Sequence, residues 1–354
     1  MAFTTIDDPT IYFNTKLYAG NSTGSTQQAI SGVGFSPDMV WIAPRTDSEK
    51  HSIADTVRGT TKTIHPNDNS AEETSAGHMV SFDSDGFTVG VDNYSWNKSG
   101  SNFVSWNWKA GTTSGISGSP SITPASYSFN SSAGFSIIKW TGTGANATLP
   151  HGLGVAPALI IIKNLDGGHW RVYHHKNTSA PETDYLELST ENATSDNNTA
   201  FNDTAPTSTL FSVGSMDETN KNTENMIAYC MAEKQGYFKA GSYTGTGLSG
   251  IRSPFIYLGF KPALIIIKKT SASPVRGWVM EDNKRSQNGD TRNNKIEAGG
   301  DSTSSGDAKD FLSNGFHLYD ITGDWFNASG VVYAYMAWAE SPFTNSSGVP
   351  NNAK

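Results

Sequence analysis

One motif, present three times, limits what this chain can fold into. A glycine, a proline three residues later and then an apolar run occur in segments 34–42, 154–163 and 259–268. Proline fixes φ and lacks an N–H group, so it suits the start of a strand, and the glycine permits the turn before it. We therefore expect Pro37, Pro157 and Pro262 to begin equivalent strands. The Leu-Ile-Ile-Ile runs of the second and third segments do not alternate, which predicts strands covered on both faces.

Other segments recur around this motif in the same order. They are Tyr18-Ala19-Gly20, Trp140-Thr141-Gly142 and Tyr243-Thr244-Gly245 upstream, the strands beginning at Phe87, Phe211 and Phe316 downstream, and closing strands at 104–108, 227–231 and 332–338. The spacing from the motif's proline to the downstream phenylalanine is about 50 residues in the first copy and about 54 in the others, a loop-sized difference. The sequence therefore predicts three divergent copies of one unit.

Composition supplies the fold class. Charged residues make up only 16% of the chain and 35 of its 354 residues are glycine, which favours strands joined by many turns over helices. Each unit has about 100 residues and short strands, as β-sandwiches do. We predict an all-β protein of three tandem, divergent, antiparallel β-sandwich repeats that are jelly-roll-like.

The predicted boundaries follow the repeats. We place repeat 1 at residues 12–111, a linker at 112–125, repeat 2 at 126–234 and repeat 3 at 236–342, with terminal extensions at 1–11 and 343–354. The linker is assigned from its Gly, Ser and Thr content, and the extensions are expected to order only against neighbouring subunits. A bent row of units and a pseudo-threefold arrangement both remain open.

Several classes of function have no support in the sequence. A net charge of −8 argues against a nucleic-acid partner, and the single cysteine, Cys230, excludes a disulfide framework within the chain. The apolar stretches 158–162 and 263–267 are far shorter than the roughly 20 residues that cross a bilayer, so we expect no membrane insertion. The first residues lack a basic segment followed by an apolar one, so we expect no secretory export.

The sequence also offers little that could carry catalysis. It contains no G-x-S-x-G turn and no phosphate-binding loop, so we predict no catalytic residues, no cofactor and no enzymatic activity. Acid pairs such as Asp83 with Asp85 and Glu281 with Asp282 do not recur in all three copies. A glucanase-like glycan hydrolase, which needs two carboxylates beside a cleft, remains as an alternative.

A histidine-rich segment at 169–177 is the strongest candidate for metal binding. The sister copies replace its histidine motif with Asp55-x-x-Arg58 and Asp282-x-x-Arg285. We therefore predict no metal site and expect the Asp and Arg residues to close a turn by a charge-assisted hydrogen bond.

Two loop aromatics are the candidate ligand-binding residues. Trp96 and Trp325 precede the last hairpin turn of their units, where an indole ring could stack on a glycan. The competing interpretation is packing against a neighbouring subunit, because aromatic residues are common in protein interfaces as well. A lectin-like carbohydrate-binding module is therefore a further alternative.

Four segments carry a resemblance to a known family. They are the opening Ala2 to Pro9, the block Ser81 to Val89, the strand Val104 to Gly111 and the ending Ser346 to Asn351. On these segments the chain resembles tandem-repeat virion-associated proteins from phages of marine bacteria, over nearly its whole length. The resemblance implies lectin-like, jelly-roll sandwiches in a virion structural protein, without implying any site residue.

That resemblance sets the functional expectation. We expect a tail-fibre, tail-associated or capsid-decorating protein that is assembled in the host cytoplasm into the virion. It would form part of a symmetric oligomer with other virion subunits, and contact with a host-surface glycan remains open.

Overall fold

The computed structural model describes residues 4–92, 94–271, 276–285, 296–298, 309–318 and 325–350. These residues form several antiparallel sheets, so the prediction of an all-β protein is confirmed. The described helices are single turns: α1 (Asn198–Phe201), α2 (Asp217–Asn220) and two 3-10 turns at Pro9–Ile11 and Gly250–Arg252. Gly, Ser, Thr and Asn dominate the connections and favour turns over longer helices.

The first third of the chain forms a large and a small sheet. Its strands are β1 (Phe13–Ala19), β2 (Gln28–Ser31), β3 (Met39–Pro44), β4 (Ser52–Asp55), β5 (Lys62–Thr63), β6 (Glu73–Thr74), β7 (Met79–Asp83), β8 (Gly86–Val89) and β9 (Asn102–Trp108). The large sheet has the order β1-β9-β3-β4 and the small sheet the order β2-β8-β7, while β5 pairs with β6.

The middle third repeats this division. Its strands are β10 (Ser126–Asn130), β11 (Phe135–Thr141), β12 (Ala147–Pro150), β13 (Leu159–Asn164), β14 (Arg171–His174), β15 (Asp184–Glu187), β16 (Ser195–Asp196), β17 (Leu210–Val213) and β18 (Asn225–Met231). The large sheet has the order β10-β11-β18-β13-β14-β15-β16, and β12 pairs with β17 in the small sheet.

The last third has the same two layers. Its strands are β19 (Phe238–Thr244), β20 (Phe255–Tyr257), β21 (Phe260–Lys269), β22 (Val279–Asp282), β23 (Ile296–Glu297), β24 (Asp310–Leu312), β25 (Gly315–His317) and β26 (Val332–Pro342). The large sheet has the order β19-β26-β21-β22-β23, and the small sheet the order β20-β25-β24.

A common strand order runs through the three large sheets. The closing strand lies between the first strand and the strand that follows the motif's proline: β1-β9-β3-β4, β11-β18-β13-β14 and β19-β26-β21-β22. The register also agrees, since Met39 faces Trp108, Leu159 faces Met231 and Leu264 faces Trp338.

The three motif prolines do not all begin strands. Pro37 and Pro157 lie two residues before β3 and β13, as a strand entry requires. Pro262 instead lies inside β21, where the pairing with β26 shifts in register on both sides of it. A bulge tolerates the missing N–H group, so β21 begins at Phe260, before its proline.

The large sheets bury both of their faces. Ile160 packs in a core between the second large sheet and its small sheet, whereas its neighbour Ile161 packs in a core shared by all three large sheets. In the same way, Ile265 packs between the third large sheet and its small sheet, and Ile266 packs in the shared core. The predicted double coverage of these strands is confirmed. We call the shared core the central core.

The central core determines how the three large sheets are arranged. Its side chains include Trp41, Trp106 and Trp108 from the first sheet, Ile161, Tyr229 and Met231 from the second, and Ile266, Met336 and Trp338 from the third. They line a gap of about 10 Å³, the lower limit for one water molecule. The sheets therefore surround a filled interior, and a bent row of units is excluded.

The terminal segments correct one expectation. Ile6 is buried in the central core, and the Thr4 hydroxyl donates to the Gln235 carbonyl over 2.6 Å. Asp7 accepts hydrogen bonds from the backbone N–H and the hydroxyl of Ser346. The described parts of both extensions thus pack on their own chain, through the apolar and polar contacts just given. Residues 1–3 and 351–354 lie outside the described residues. Within the described ranges, no helix is long and apolar enough to cross a membrane.

Candidate functional site

Trp96 lies in the interior of the first outer layer. Its side chain is fully buried between the first large sheet and its small sheet, and the His78 ring stacks on it at a centroid distance of 5.8 Å. An indole covered in this way presents no face to a ligand. The structure therefore corrects the assignment of Trp96 as a candidate ligand-binding residue.

Trp325 is placed differently. Its ring is half-buried against the core of the third outer layer, and the guanidinium carbon of Arg276 lies 5.0 Å from the ring centroid. The structure does not bring Trp325 and Trp96 together, because each packs in the outer layer of a different large sheet. Ligand binding by Trp325 stays a prediction.

The turns before the closing strands explain the burial of Trp96. Asn97, Asn220 and Asn327 are fully buried, and the amide oxygen of each accepts the backbone N–H of the residue after Gly20, Gly142 or Gly245. Each amide nitrogen donates to carbonyl groups of the same loop. Trp96 comes directly before Asn97, and Phe326 comes directly before Asn327. Both rings point inward, because the asparagine that follows each of them fixes the backbone.

The Asp-to-Arg motif closes a turn, as predicted. Asp55 accepts the backbone N–H of Arg58 with one oxygen and its Nε with the other, over 2.9 and 2.5 Å. Asp282 and Arg285 repeat these bonds at 2.9 and 2.5 Å. Charge-assisted hydrogen bonds of this kind are strong, and both pairs are buried.

These turns also join the large sheets to one another. The Tyr229 hydroxyl of the second sheet donates to Asp55 of the first over 2.7 Å, and the Trp106 indole of the first donates to Asp282 of the third over 3.2 Å. The His174 Nε2 of the second sheet donates to the Tyr335 carbonyl of the third over 2.9 Å. Three polar contacts from corresponding turns thus link the sheets in a closed ring.

Burial holds His51, His151 and His174 neutral. His174 accepts the Lys176 N–H at Nδ1 while Nε2 donates, which fixes one tautomer, and burial lowers its pKa to about 4. Burial, aided by the charge of Arg285, lowers the pKa of His51 to about 3. His151 accepts the Leu153 N–H, and burial lowers its pKa to about 4.

The histidine-rich segment does not converge on a metal. His169 bonds the Ser189 hydroxyl, His174 bonds Tyr335, and His175 bonds the Ala240 carbonyl over 3.0 Å. Among the residues that the structure describes, no group of three or more His, Cys, Asp or Glu side chains could hold a metal ion.

The candidate acid pairs are engaged in structural bonds. Asp83 accepts from the Ser81 and Thr88 hydroxyls, and Asp85 accepts the backbone N–H groups of Gly32 and Gly34. Glu281 is buried and forms an ion pair with Lys309, beside the buried Asp282. A hydrolase would need two carboxylates that face a substrate, and these pairs face their own turns.

Several open grooves lie on the described surface. One cleft of about 400 Å³ lies where the first and second large sheets meet, and Lys62, Glu72, Lys139 and Asp166 line it. Two other grooves, of about 330 and 250 Å³, adjoin each other because Gln235 and Leu258 line both.

Two exposed aromatic residues lie on β20, one of them in the second pair of grooves, and the sequence analysis missed them. Phe255 and Tyr257 of β20 are 45% and 55% exposed, and Tyr257 lines the larger groove. They flank the buried Ile256, and this period-two alternation was the available signal. They are the exposed aromatic platform that Trp96 does not provide.

A family model described as a domain of unknown function (DUF7483) matches residues 8–342. The chain belongs to this family. The DUF7483 match runs without a break through all three large sheets and ends where β26 ends, at Pro342. Comparisons with curated proteins and with solved structures give no match. Because the DUF7483 description names neither a ligand nor a reaction, function has to be argued from the geometry.

Proposed function

We propose that this protein is a non-enzymatic structural component of a bacteriophage particle, carried either on the tail or as a decoration of the capsid. Three divergent β-sandwich repeats, jelly-roll-like in their two-layer build, would form its scaffold. The resemblance of its opening, closing and core segments to virion-associated proteins of marine phages is one support for this proposal.

The observation that carries the proposal is the agreement of the three scaffolds around one filled core. The large sheets have the same strand order, the buried Asn97, Asn220 and Asn327 hold the same turn, and Asp55 and Asp282 close the same turn with arginine. A scaffold repeated in this way supports three different sets of loops on one rigid body. That build suits assembly more than catalysis at a single cleft.

The same observation refines the predicted boundaries. Each repeat has an outer core of its own, yet its inner face contributes to the central core. We infer that residues 12–111, 126–234 and 236–342 are structural repeats of one folding unit. Part of the linker between the first two is built into the second, since Ile122 is buried in that repeat's outer core.

The proposal is tested on purified particles. Mass spectrometry of virions from a host infected with the phage that encodes this chain should detect it at a stoichiometry fixed by particle symmetry. Labelling with antibodies raised against the purified protein, viewed by electron microscopy, should then locate it on the tail or on the capsid. Absence from purified virions, with the protein present in infected cells, would overturn the proposal.

A further inference from the structure

An exposed aromatic pair marks one repeat off from the other two. Phe255 and Tyr257 alternate with the buried Ile256 along β20, so both rings lie on the solvent face of the third small sheet. Ile256 pairs with Phe316 of β25 and fills the outer core below. The exposed rings take no part in that packing, except that the edge of Phe255 lies over Gly315.

The corresponding positions of the other small sheets carry no aromatic residue. Ile30 pairs with Phe87 and Leu149 pairs with Phe211, as Ile256 pairs with Phe316. The flanking residues are Ala29 and Ser31 in the first sheet and Thr148 and Pro150 in the second. Gly86, which pairs with Ser31, has backbone atoms of Ile30 and Ser31 nearest to it, whereas Gly315 has the edge of the Phe255 ring among its nearest neighbours. The scaffold thus forms without aromatic residues here, and Phe255 and Tyr257 need another explanation.

Polar groups with no internal partner lie in the groove beside Tyr257. The groove of about 330 Å³ beside Tyr257 is lined by Gln235, Gly259, Phe343 and Thr344 among others. Within the described part of the chain, the side chains of Gln235 and Thr344 make no hydrogen bond. The volume of this groove lies within the range of about 300–1,000 Å³ that is usual for small-molecule sites.

Lys239 holds the platform in place. Its ammonium group donates to the Tyr257 carbonyl over 2.8 Å and lies 5.5 Å from the centre of the Tyr257 ring. The same lysine lines the adjoining groove of about 250 Å³ with Lys234. This lysine therefore connects the edge strand β20 with β19 of the large sheet and lies beside the exposed ring.

We infer that Tyr257 and Phe255, with Gln235, Thr344 and Lys239, form a carbohydrate-binding site. A sugar has an apolar ring face, which stacks on an aromatic side chain, and a rim of hydroxyl groups, which pairs with amide, hydroxyl and ammonium groups. The site offers both in adjoining positions. The inference goes beyond the proposed virion role and does not depend on it.

A protein partner fits the site less well. A standard interface buries about 800 Å² on each partner, whereas a phenylalanine or tyrosine contributes about 150–250 Å² when fully covered. Two half-exposed rings supply less than half of such a surface. The adjoining grooves, with their polar walls, match a ligand of a few sugar units better than a flat protein surface.

The site is tested by glycan binding of the full chain. A glycan array, containing neutral and acidic bacterial surface oligosaccharides, selects a ligand, and titration calorimetry measures its affinity. Tyr257→Ala and Phe255→Ala should each weaken binding about tenfold or more, because each removes a stacking ring. Tyr257→Phe keeps the ring and should bind within about threefold of the wild type.

A matched control is available on the same protein. Tyr94 is 59% exposed and belongs to the first repeat, so Tyr94→Ala should leave both affinity and melting temperature unchanged. Melting temperatures of the Tyr257 and Phe255 variants, measured alongside, separate loss of the site from loss of the fold. Failure of the wild type to bind any glycan on the array, or equal binding by Tyr257→Ala and the wild type, would overturn the inference.

Discussion

Buried charges lie where the large sheets meet. Arg58 is completely buried, and besides Asp55 it reaches Glu72 at 3.3 Å and the Ile53 carbonyl at 3.0 Å. Asp55 in turn accepts the Tyr229 hydroxyl from the second sheet. Docking of the second sheet thus adds a hydroxyl donor to a carboxylate that Arg58 already neutralises, and each ion becomes a buried, unpaired charge if the other is removed.

Removing one partner of that pair should be severe. Arg58→Leu leaves the Asp55 carboxylate buried without its cation, and we expect the free energy of unfolding to fall by about 3–5 kcal/mol. Lys221→Ala, which breaks exposed ion pairs with Asp217 and Glu224, is the control and should cost less than about 1 kcal/mol. Urea titration measures both, and similar losses in the two variants would contradict this account.

The buried histidines predict acid sensitivity. The pKa values of His51, His151 and His174 are lowered to about 3, 4 and 4, from an ordinary value of 6.5. Below pH 6.5 the unfolded chain therefore binds more protons than the folded one. Stability is complete above that pH and is lost as the pH falls towards 4, by about 1.4 kcal/mol per pH unit for each histidine.

His174 allows this prediction to be assigned to one side chain. In His174→Gln the amide can accept the Lys176 N–H and donate to Tyr335 without titrating. The slope of unfolding free energy against pH between 6.5 and 4 should then be about 1.4 kcal/mol per pH unit smaller than in the wild type. Identical slopes in urea titrations of the two proteins would show that His174 is not protonated on unfolding.

At the scale of elements, β13 and β21 each separate an outer core from the central core. Ile160 and Ile265 fill the outer cores. Replacing either with alanine should cost about 2–5 kcal/mol, because the cavity lies between two packed layers. Ile11→Ala, at a side chain that is 44% exposed, should change stability by less than about 0.5 kcal/mol. A loss below about 1 kcal/mol for Ile160→Ala would mean that one face of β13 is not packed.

These elements were also the most predictable part of the molecule. The non-alternating runs at 159–162 and 264–267 indicated double coverage, because a strand with one wet face cannot be apolar throughout. Trp96 was misassigned because its burial follows from the turn at Asn97, whose bonds are to residues far away in sequence. Phe255 and Tyr257 could have been found from an alignment of the three segments. The corresponding positions of the other two hold the non-aromatic residues Ala29, Ser31, Thr148 and Pro150.

At the scale of the whole molecule, the arrangement of the three sheets was not predictable from the sequence. Three predicted units joined by a long and a short connection fit a row or a ring equally well. What decides between them is the second apolar face of each large sheet, which must be buried against something. Trp108 and Trp338 meet edge to face at a centroid distance of 5.4 Å across two sheets, and such contacts between distant segments form the central core.

The shared core predicts that the three large sheets unfold together. If one large sheet leaves, the other two expose the inner faces around Trp106, Tyr229 and Met336, so we expect no large sheet to be stable by itself. We expect one transition in thermal unfolding, with far-ultraviolet circular dichroism and tryptophan fluorescence giving the same midpoint. Trp106→Ala in the first large sheet should lower that single midpoint and, by about 3–5 kcal/mol, the free energy of unfolding. Separate transitions, of which Trp106→Ala shifts only one, would mean that the large sheets belong to independent domains and that the central core contributes little to holding them together.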